Sequence, residues 1–200
     1  MKILALELST ARGSLAWLDE DAAGFSRDWP NDRKNSGAFF ESLADVTKKF
    51  GAPETIIVGL GPGSYAGTRI AISAAIGLQV SFGAHLIGFP SISAMQCDAH
   101  EYCVIGDARR KSFFFARIRA NNLIEAPTLL SESELKPKLN AVQMAMPVFT
   151  SDSLPQFERA VVRFPSAIVL ARLAQESQRS FSLPPLEPIY LRGPHITMPK

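Results

Sequence analysis

Leu4-Ala5-Leu6-Glu7 is an apolar run that closes on an acid; the polar turn Ser9-Thr10-Ala11-Arg12-Gly13 follows, and Ser14-Leu15-Ala16-Trp17-Leu18 is apolar again. The same order recurs 100 residues later: Tyr102–Asp107 closes on an acid, Ala108–Lys111 turns, and Ser112–Ile118 returns. Self-similarity at such a distance points to two lobes built on one opening motif. Working outward, Lys2–Leu8, Ser14–Leu18 and Ala22–Asp28 read as a meander of strands that breaks at Pro30-Asn31-Asp32. Ser36 to Phe50 reads as a helix, because Phe39, Leu43, Val46 and Phe50 share one face and Phe40 and Ala44 widen it; Gly51 and Pro53 stop it. Thr55–Leu60 is a strand, Gly61–Gly67 a glycine-rich turn, Thr68–Phe82 a second helix, His85–Gly88 a strand and Pro90–Cys97 a helix. In the second half, Pro147–Thr150 reads as a strand and Pro165–Ser177 as a helix with Pro in its first turn. The tail carries five of the 14 prolines from Pro184 onward, so it lies across the surface, anchored by Ile189-Tyr190-Leu191. The expectation is an α/β chain divided into residues 1–99 and a smaller lobe of residues 100–200.

The second helix is apolar nearly all round. Gly67, Ala71, Ala74, Ala75, Leu78 and Phe82 form a stripe of mostly small residues; Ile70, Ser73, Ile76, Gly77 and Val80 form much of the rest. Such a helix is covered on every side. Either the chain encloses it, or one face lies on its own sheet and another on a second protein.

Composition narrows the function classes. The chain has 200 residues, 46% hydrophobic, with 21 basic against 19 acidic side chains. That balance excludes a disordered chain and argues against a protein that grips nucleic acid alone over a broad basic face. Residues 1–100 hold 8 basic and 10 acidic side chains and residues 101–200 hold 13 and 9, so the second half is mildly basic. Two cysteines, Cys97 and Cys103, lack a metal pattern and suit a reducing compartment. No leader is visible at Met1-Lys2, and the uncharged stretch Ile70–Cys97 has too short an apolar part for the roughly 20 residues of a membrane span. A cytoplasmic protein is expected.

Several residues could carry chemistry. Gly61-x-Gly63-x-x-Ala66, between a strand and a helix, fits a loose dinucleotide fingerprint, yet no acid stands between residues 55 and 97 to hold a ribose. The alternatives are a tight turn for close helix packing and an anion site at the helix N-terminus. Ser64 narrowly misses a nucleophile elbow, and His85, His100 and His195 are scattered, so no triad emerges. Glu7 and Asp107, with Ser9, Thr10, Gly61, Gly63 and Ser64, are cleft or phosphate candidates; the competing reading is that each acid caps its own turn. The second lobe offers only Thr150-Ser151-Asp152-Ser153, without glycine. Arg109, Arg110, Lys111, Arg117 and Arg119 flank Phe113–Phe115, a basic cluster whose aromatics read as core. No cofactor and no metal are expected.

Gly61-Pro62-Gly63-Ser64-Tyr65-Ala66-Gly67-Thr68-Arg69-Ile70 resembles the most specific motif of the bacterial TsaB (YeaZ) family. Ile3–Thr10, Leu86-Ile87-Gly88 with Ser91 and Ser93, Asp107-Ala108-Arg109 and Pro188-Ile189-Tyr190-Leu191-Arg192 support the resemblance in order and spacing. It implies an actin-like fold of two ribonuclease-H-like lobes. It also implies a non-catalytic subunit of the machinery that makes threonylcarbamoyladenosine (t6A) at position 37 of tRNA, pairing with the TsaD transferase and the TsaE ATPase, and touching tRNA only through the complex. The family pairs through its first two helices, here through Phe39, Phe40, Leu43, Val46, Arg69, Ile70, Ser73, Ile76, Gly77 and Val80; a homodimer through the same surface is also seen. Glu7 replaces the family's usual Asp, Asn35 stands where many members have His, and the second lobe is shortened, which weakens any nucleotide site. The alternative is a nucleotide-binding or glycoprotease-like enzyme of the same superfamily.

Overall fold

The computed structural model describes residues 1–19, 22–31 and 36–192. Strands β1 (Ile3–Glu7), β2 (Arg12–Asp19), β3 (Ala22–Pro30), β4 (Thr55–Gly59) and β5 (His85–Phe89) form one sheet in the order β3-β2-β1-β4-β5. Strands β6 (Glu101–Asp107), β7 (Ser112–Arg119), β8 (Asn122–Ser131), β9 (Val148–Thr150) and β10 (Ala160–Val162) form a second, in the order β10-β9-β6-β7-β8. In each sheet the first three strands pair antiparallel and the last two join in parallel. The same five-strand topology therefore occurs twice, which is the two-lobed α/β actin-like fold.

Helix α1 (Gly37–Phe50) links β3 to β4, α2 (Tyr65–Phe82) links β4 to β5, α3 (Glu132–Ala141) links β8 to β9, and α4 (Ala167–Leu173) follows β10. Strand alternation sends Leu4, Leu6, Ile56 and Val58 into the core that also holds α1 and α2 residues, and Ile3, Ala5 and Ile57 into the core shared with α4. A sheet covered on both faces needs continuous apolar strands, and β1 is buried at every position. In the second sheet Cys103, Ile105, Phe113 and Phe115 join Leu135 and Leu139 of α3. Tyr102, Val104 and Phe114 join Ile92 and Met95. Each half of the chain thus covers part of the other's sheet: α4 closes the first, and the segment after β5 closes the second. A boundary at residue 99 separates the strands but not the cores.

Several elements differ from the sequence reading, and α2 starts at Tyr65 rather than Thr68. Pro90–Cys97 is not an α-helix; only a 3₁₀ turn, Ser91–Ala94, forms there. Met95 bridges Pro165, and the Gln96 N–H donates to the Phe164 carbonyl, so this backbone is spent on pairing. For the same reason α4 starts at Ala167 rather than Pro165, after an extended Ser166. Strands β8 and β10 and helix α3 stand where no element was expected. Pro127 and Glu125 hide β8, and Pro137 hides α3. A usable signal was present: Ser131-x-x-Glu134 is a capping box, with Glu134 Oε2 accepting from the Ser131 N–H at 2.7 Å.

Candidate functional site

Glu7 and Asp107 both turn back on their own chain. Glu7 Oε1 accepts the Ser9 N–H at 2.7 Å, and Asp107 Oδ1 accepts the Arg109 N–H at 2.7 Å. This is the turn-capping geometry, one acid per lobe. The surroundings differ sharply. Glu7 is fully buried beside Gly59 and Ser91, and burial pushes its carboxyl above the ordinary range against the opposing pull of Ser9 and Ser91. Asp107 is partly exposed; its Oδ2 meets Arg109 Nη1 at 2.9 Å, and its own N–H donates to Asp152 Oδ2 at 2.8 Å. Alternation also places Glu7 on the face of Ile3 and Ala5, away from α1, but Asp107 on the face of Cys103 and Ile105, toward α3. The acids 100 residues apart are therefore not equivalent, because the repeats are one residue out of register. Glu7 lies beneath the cleft rather than lining it, which corrects its place among the cleft candidates.

The glycine-rich loop brings α2 against the end of β1. A Cβ at Gly63 would overlap the Ser9 carbonyl oxygen, and one at Gly67 the Leu8 carbonyl oxygen. Gly61 takes φ 89°, a left-handed value that suits glycine; it too lies outside the cleft lining. Three of the loop's donors are engaged within the chain: Gly61 N–H to Ser91 Oγ (2.9 Å), Ser64 N–H to the Ser9 carbonyl (2.6 Å) and Gly67 N–H to Ser64 Oγ (3.3 Å). This is the close-packing turn, with Ser64 as the N-cap of α2. Among the described residues Ser64 has no histidine beside it; His85 and His100 are exposed, and His195, like Asn35, lies outside the described residues.

Between the lobes lies a cleft of about 550 Å³, lined by Ser9, Thr10, Gly63 and Ser64 from one side and Asp107, Arg109 and Asp152 from the other. The tail crosses it. Leu186 and Ile189 pack into the first lobe, Ile189 N–H donates to the Leu60 carbonyl (2.8 Å), Leu191 packs on the second lobe, and Arg192 Nη2 donates to the Arg109 carbonyl (3.4 Å). Tyr190 stands 5.5 Å from Tyr65, whose ring also carries Arg69 at 5.2 Å. Sequence reasoning found the anchor but not that it joins two lobes.

Phe39, Leu43 and Val46, expected on a partner face, are instead buried in the chain's own core, and Ile70 packs against it. The reason is that their side of α1 is the side that covers β1 and β4. Phe40 is 49% exposed, and Arg69, Ser73, Ile76, Gly77 and Val80 line the open face of α2, with Ile76 44% and Val80 81% exposed. The described residues do not enclose α2. In the basic cluster, Phe113–Phe115 are core and Arg117 and Arg119 are tied to Glu101 (2.5 and 2.8 Å). Cys97 and Cys103 are free thiols, and burial pushes the Cys103 thiol up to about 11. Among the described residues no cluster of His, Cys, Asp or Glu could hold a metal, and no helix is long and apolar enough to cross a membrane.

A family model, TsaD: tRNA N6-adenosine threonylcarbamoyltransferase, matches residues 36–134, just under half of the chain. A Pseudomonas aeruginosa crystal structure, described as an uncharacterized protein with similarity to peptidase YEAZ, superposes with TM-score 0.76 at 22% identity, covering 96% of this chain and 99% of that one. Over residues 36–134 the chain is similar to the TsaD family, and it shares the fold of the YeaZ structure. YeaZ from Pseudomonas aeruginosa superposes with TM-score 0.69 at 21% identity over 88% of this chain and 91% of its own. No curated protein matches in sequence. Both comparisons agree with the TsaB (YeaZ) resemblance seen in the sequence.

Proposed function

We propose that this chain is a non-catalytic scaffold and activator subunit for t6A modification at position 37 of tRNA. It pairs with a TsaD-type transferase through the open face of α2 and is joined by a TsaE-type ATPase. The observation that carries this reading is the exposed strip on α2, apolar at Ile76 and Val80, while Gly67, Ala71 and Ala75 are buried. Arg69, Ser73, Ile76 and Val80 recur at helical spacing on one face, and Gly77 lets a partner backbone come close. Val80 at 81% exposure is poorly explained by a free surface. A standard interface of about 800 Å² per partner is within reach of two helices. The engagement of the Gly61, Ser64 and Gly67 N–H groups within the chain supports a structural rather than catalytic role for the Gly61–Gly67 loop.

The test is to mix the full chain with the TsaD-type transferase of the same cell and measure mass by light scattering after size exclusion. The native chain is expected to form a heterodimer, and Val80→Glu or Ile76→Glu, both on the open face, to abolish it, since an unpaired charge is costly to bury. Heterodimers formed equally well by both variants would rule the face out, and a homodimer that excludes the transferase would favour a stand-alone module.

A further inference from the structure

We propose that the mouth of the inter-lobe cleft is a binding site for single-stranded RNA, with bases stacking on Tyr190 and Tyr65 and phosphates held by Arg110, Lys111 and Arg192. The pairing proposed above leaves RNA to the partner, so this inference goes beyond it; its site adjoins the pairing face, since Arg69 of that face donates to the Tyr65 hydroxyl at 2.8 Å.

Three observations converge on the mouth. Tyr65 and Tyr190 are 59% and 46% exposed although their rings lie only 5.5 Å apart, one from α2 and one from the tail. Large aromatics held side by side in water are stacking platforms that accept any base. Next, Arg192 reaches the Arg109 carbonyl, which sets the β6–β7 turn beside Tyr190 on the rim of one cavity. Third, that turn is held in an uncommon form: Arg109, Arg110 and Lys111 all take left-handed backbone (φ 65°, 53° and 58°). Such residues carry strain, which the fold keeps here while presenting two cations at an exposed tip.

Charge decides where the strand lies. Arg109 is neutralised by Asp107 at 2.9 Å, but among the described residues Arg110, Lys111 and Arg192 have no carboxylate partner. Asp107 and Asp152 line the interior, so a phosphate is repelled from the floor of the cleft and attracted to its rim. A strand therefore crosses the mouth rather than entering it. Exposed aromatic faces fit splayed bases and offer nothing to a duplex, whose bases are already stacked.

The experiment measures fluorescence anisotropy of the full chain with a labelled RNA stem-loop and with a blunt duplex of the same stem. The stem-loop is expected to bind and the duplex to bind at least about ten-fold more weakly. Three phosphate contacts predict a slope of log affinity against log salt of about −2. Tyr190→Ala is expected to weaken stem-loop binding about ten-fold with the slope kept. Arg110→Glu with Lys111→Glu is expected to bring the slope below about −1 in magnitude. Absent binding, equal binding of duplex and stem-loop, or variants that bind like the native chain would each overturn the proposal. Heterodimer formation with the transferase is measured on the same variants. Its retention there, with loss only in Val80→Glu, keeps failure of the RNA site distinct from failure of the pairing face; its loss in Tyr190→Ala would reassign the tyrosines to the protein partner and overturn the RNA site.

Discussion

The two lobes share a sheet and differ in what covers it. In the first, residues 60–84 between β4 and β5 hold an 18-residue helix; in the second, residues 151–159 between β9 and β10 hold only turns. The first lobe can therefore afford an open helix face, whereas the second has only α3 on its helix side. Loss of that second helix also removes the reason for a glycine loop. Gly63 and Gly67 let α2 approach β1, while Thr150–Ser153 has no helix to admit and contains no glycine. The acids follow the same logic. Glu7 sits under a crowded junction and is buried, and Asp107 sits at an open turn and is bridged by an arginine.

Truncating one side chain under each helix layer tests how independent the lobes are. Phe39→Ala under α1 is expected to cost about 4 kcal/mol and Leu135→Ala under α3 about 3 kcal/mol, both in urea titrations. Because α4 and the 3₁₀ turn cross between the cores, both variants should unfold in one transition seen by every probe; two separate transitions would divide the molecule at residue 99.

Next in size is the glycine loop. Gly67→Ala must displace the Leu8 carbonyl or the first turn of α2, at a cost of about 2 kcal/mol as in other overpacked sites. Ser151→Ala at the corresponding turn of the second lobe should change stability by less than about 0.5 kcal/mol. Similar losses at both positions would show that the loop is not specialised for α2.

The smallest effect separates the acids by pH. Burial raises the Glu7 carboxyl in the folded chain. The folded state then binds the proton more tightly than the unfolded one, so this group favours folding most below the ordinary carboxylate range, and its contribution falls as pH rises toward its folded value. Glu7→Gln should flatten that decline in urea midpoints measured from acid to neutral pH. Asp107→Asn, at an exposed ion pair, should shift stability by less than about 1 kcal/mol. A steeper profile in Glu7→Gln would mean the carboxylate is charged and held by partners.

Much of the first lobe was legible because local signals and burial agree there. Phe39, Leu43 and Val46 lie at helical spacing, and strands β1, β4 and β5 are mostly apolar. The second lobe hid β8, α3 and β10 because their faces are half exposed and carry Pro127, Glu125 and Pro137, so periodicity is weak. The repeat itself was legible, but its register was not. A strand's facing alternates residue by residue, so an offset of one reverses every side chain without altering composition or spacing.

By itself the sequence determined the repeated opening of strand, acid, turn and strand, the glycine loop between β4 and α2, the family motif and the anchoring of the tail. These depend on residue type and local spacing. Only the tertiary structure decided which apolar residues are core and which are surface: Phe39 and Phe40 are neighbours in the chain, and one is buried while the other is half exposed. It also decided that Glu7 is buried while Asp107 reaches the cleft, and that Tyr65 meets Tyr190 across 125 positions of chain. Such outcomes depend on how sheets, helices and tail are brought together over long sequence distances, where free energy comes from burial of matched surfaces rather than from the preferences of any one segment.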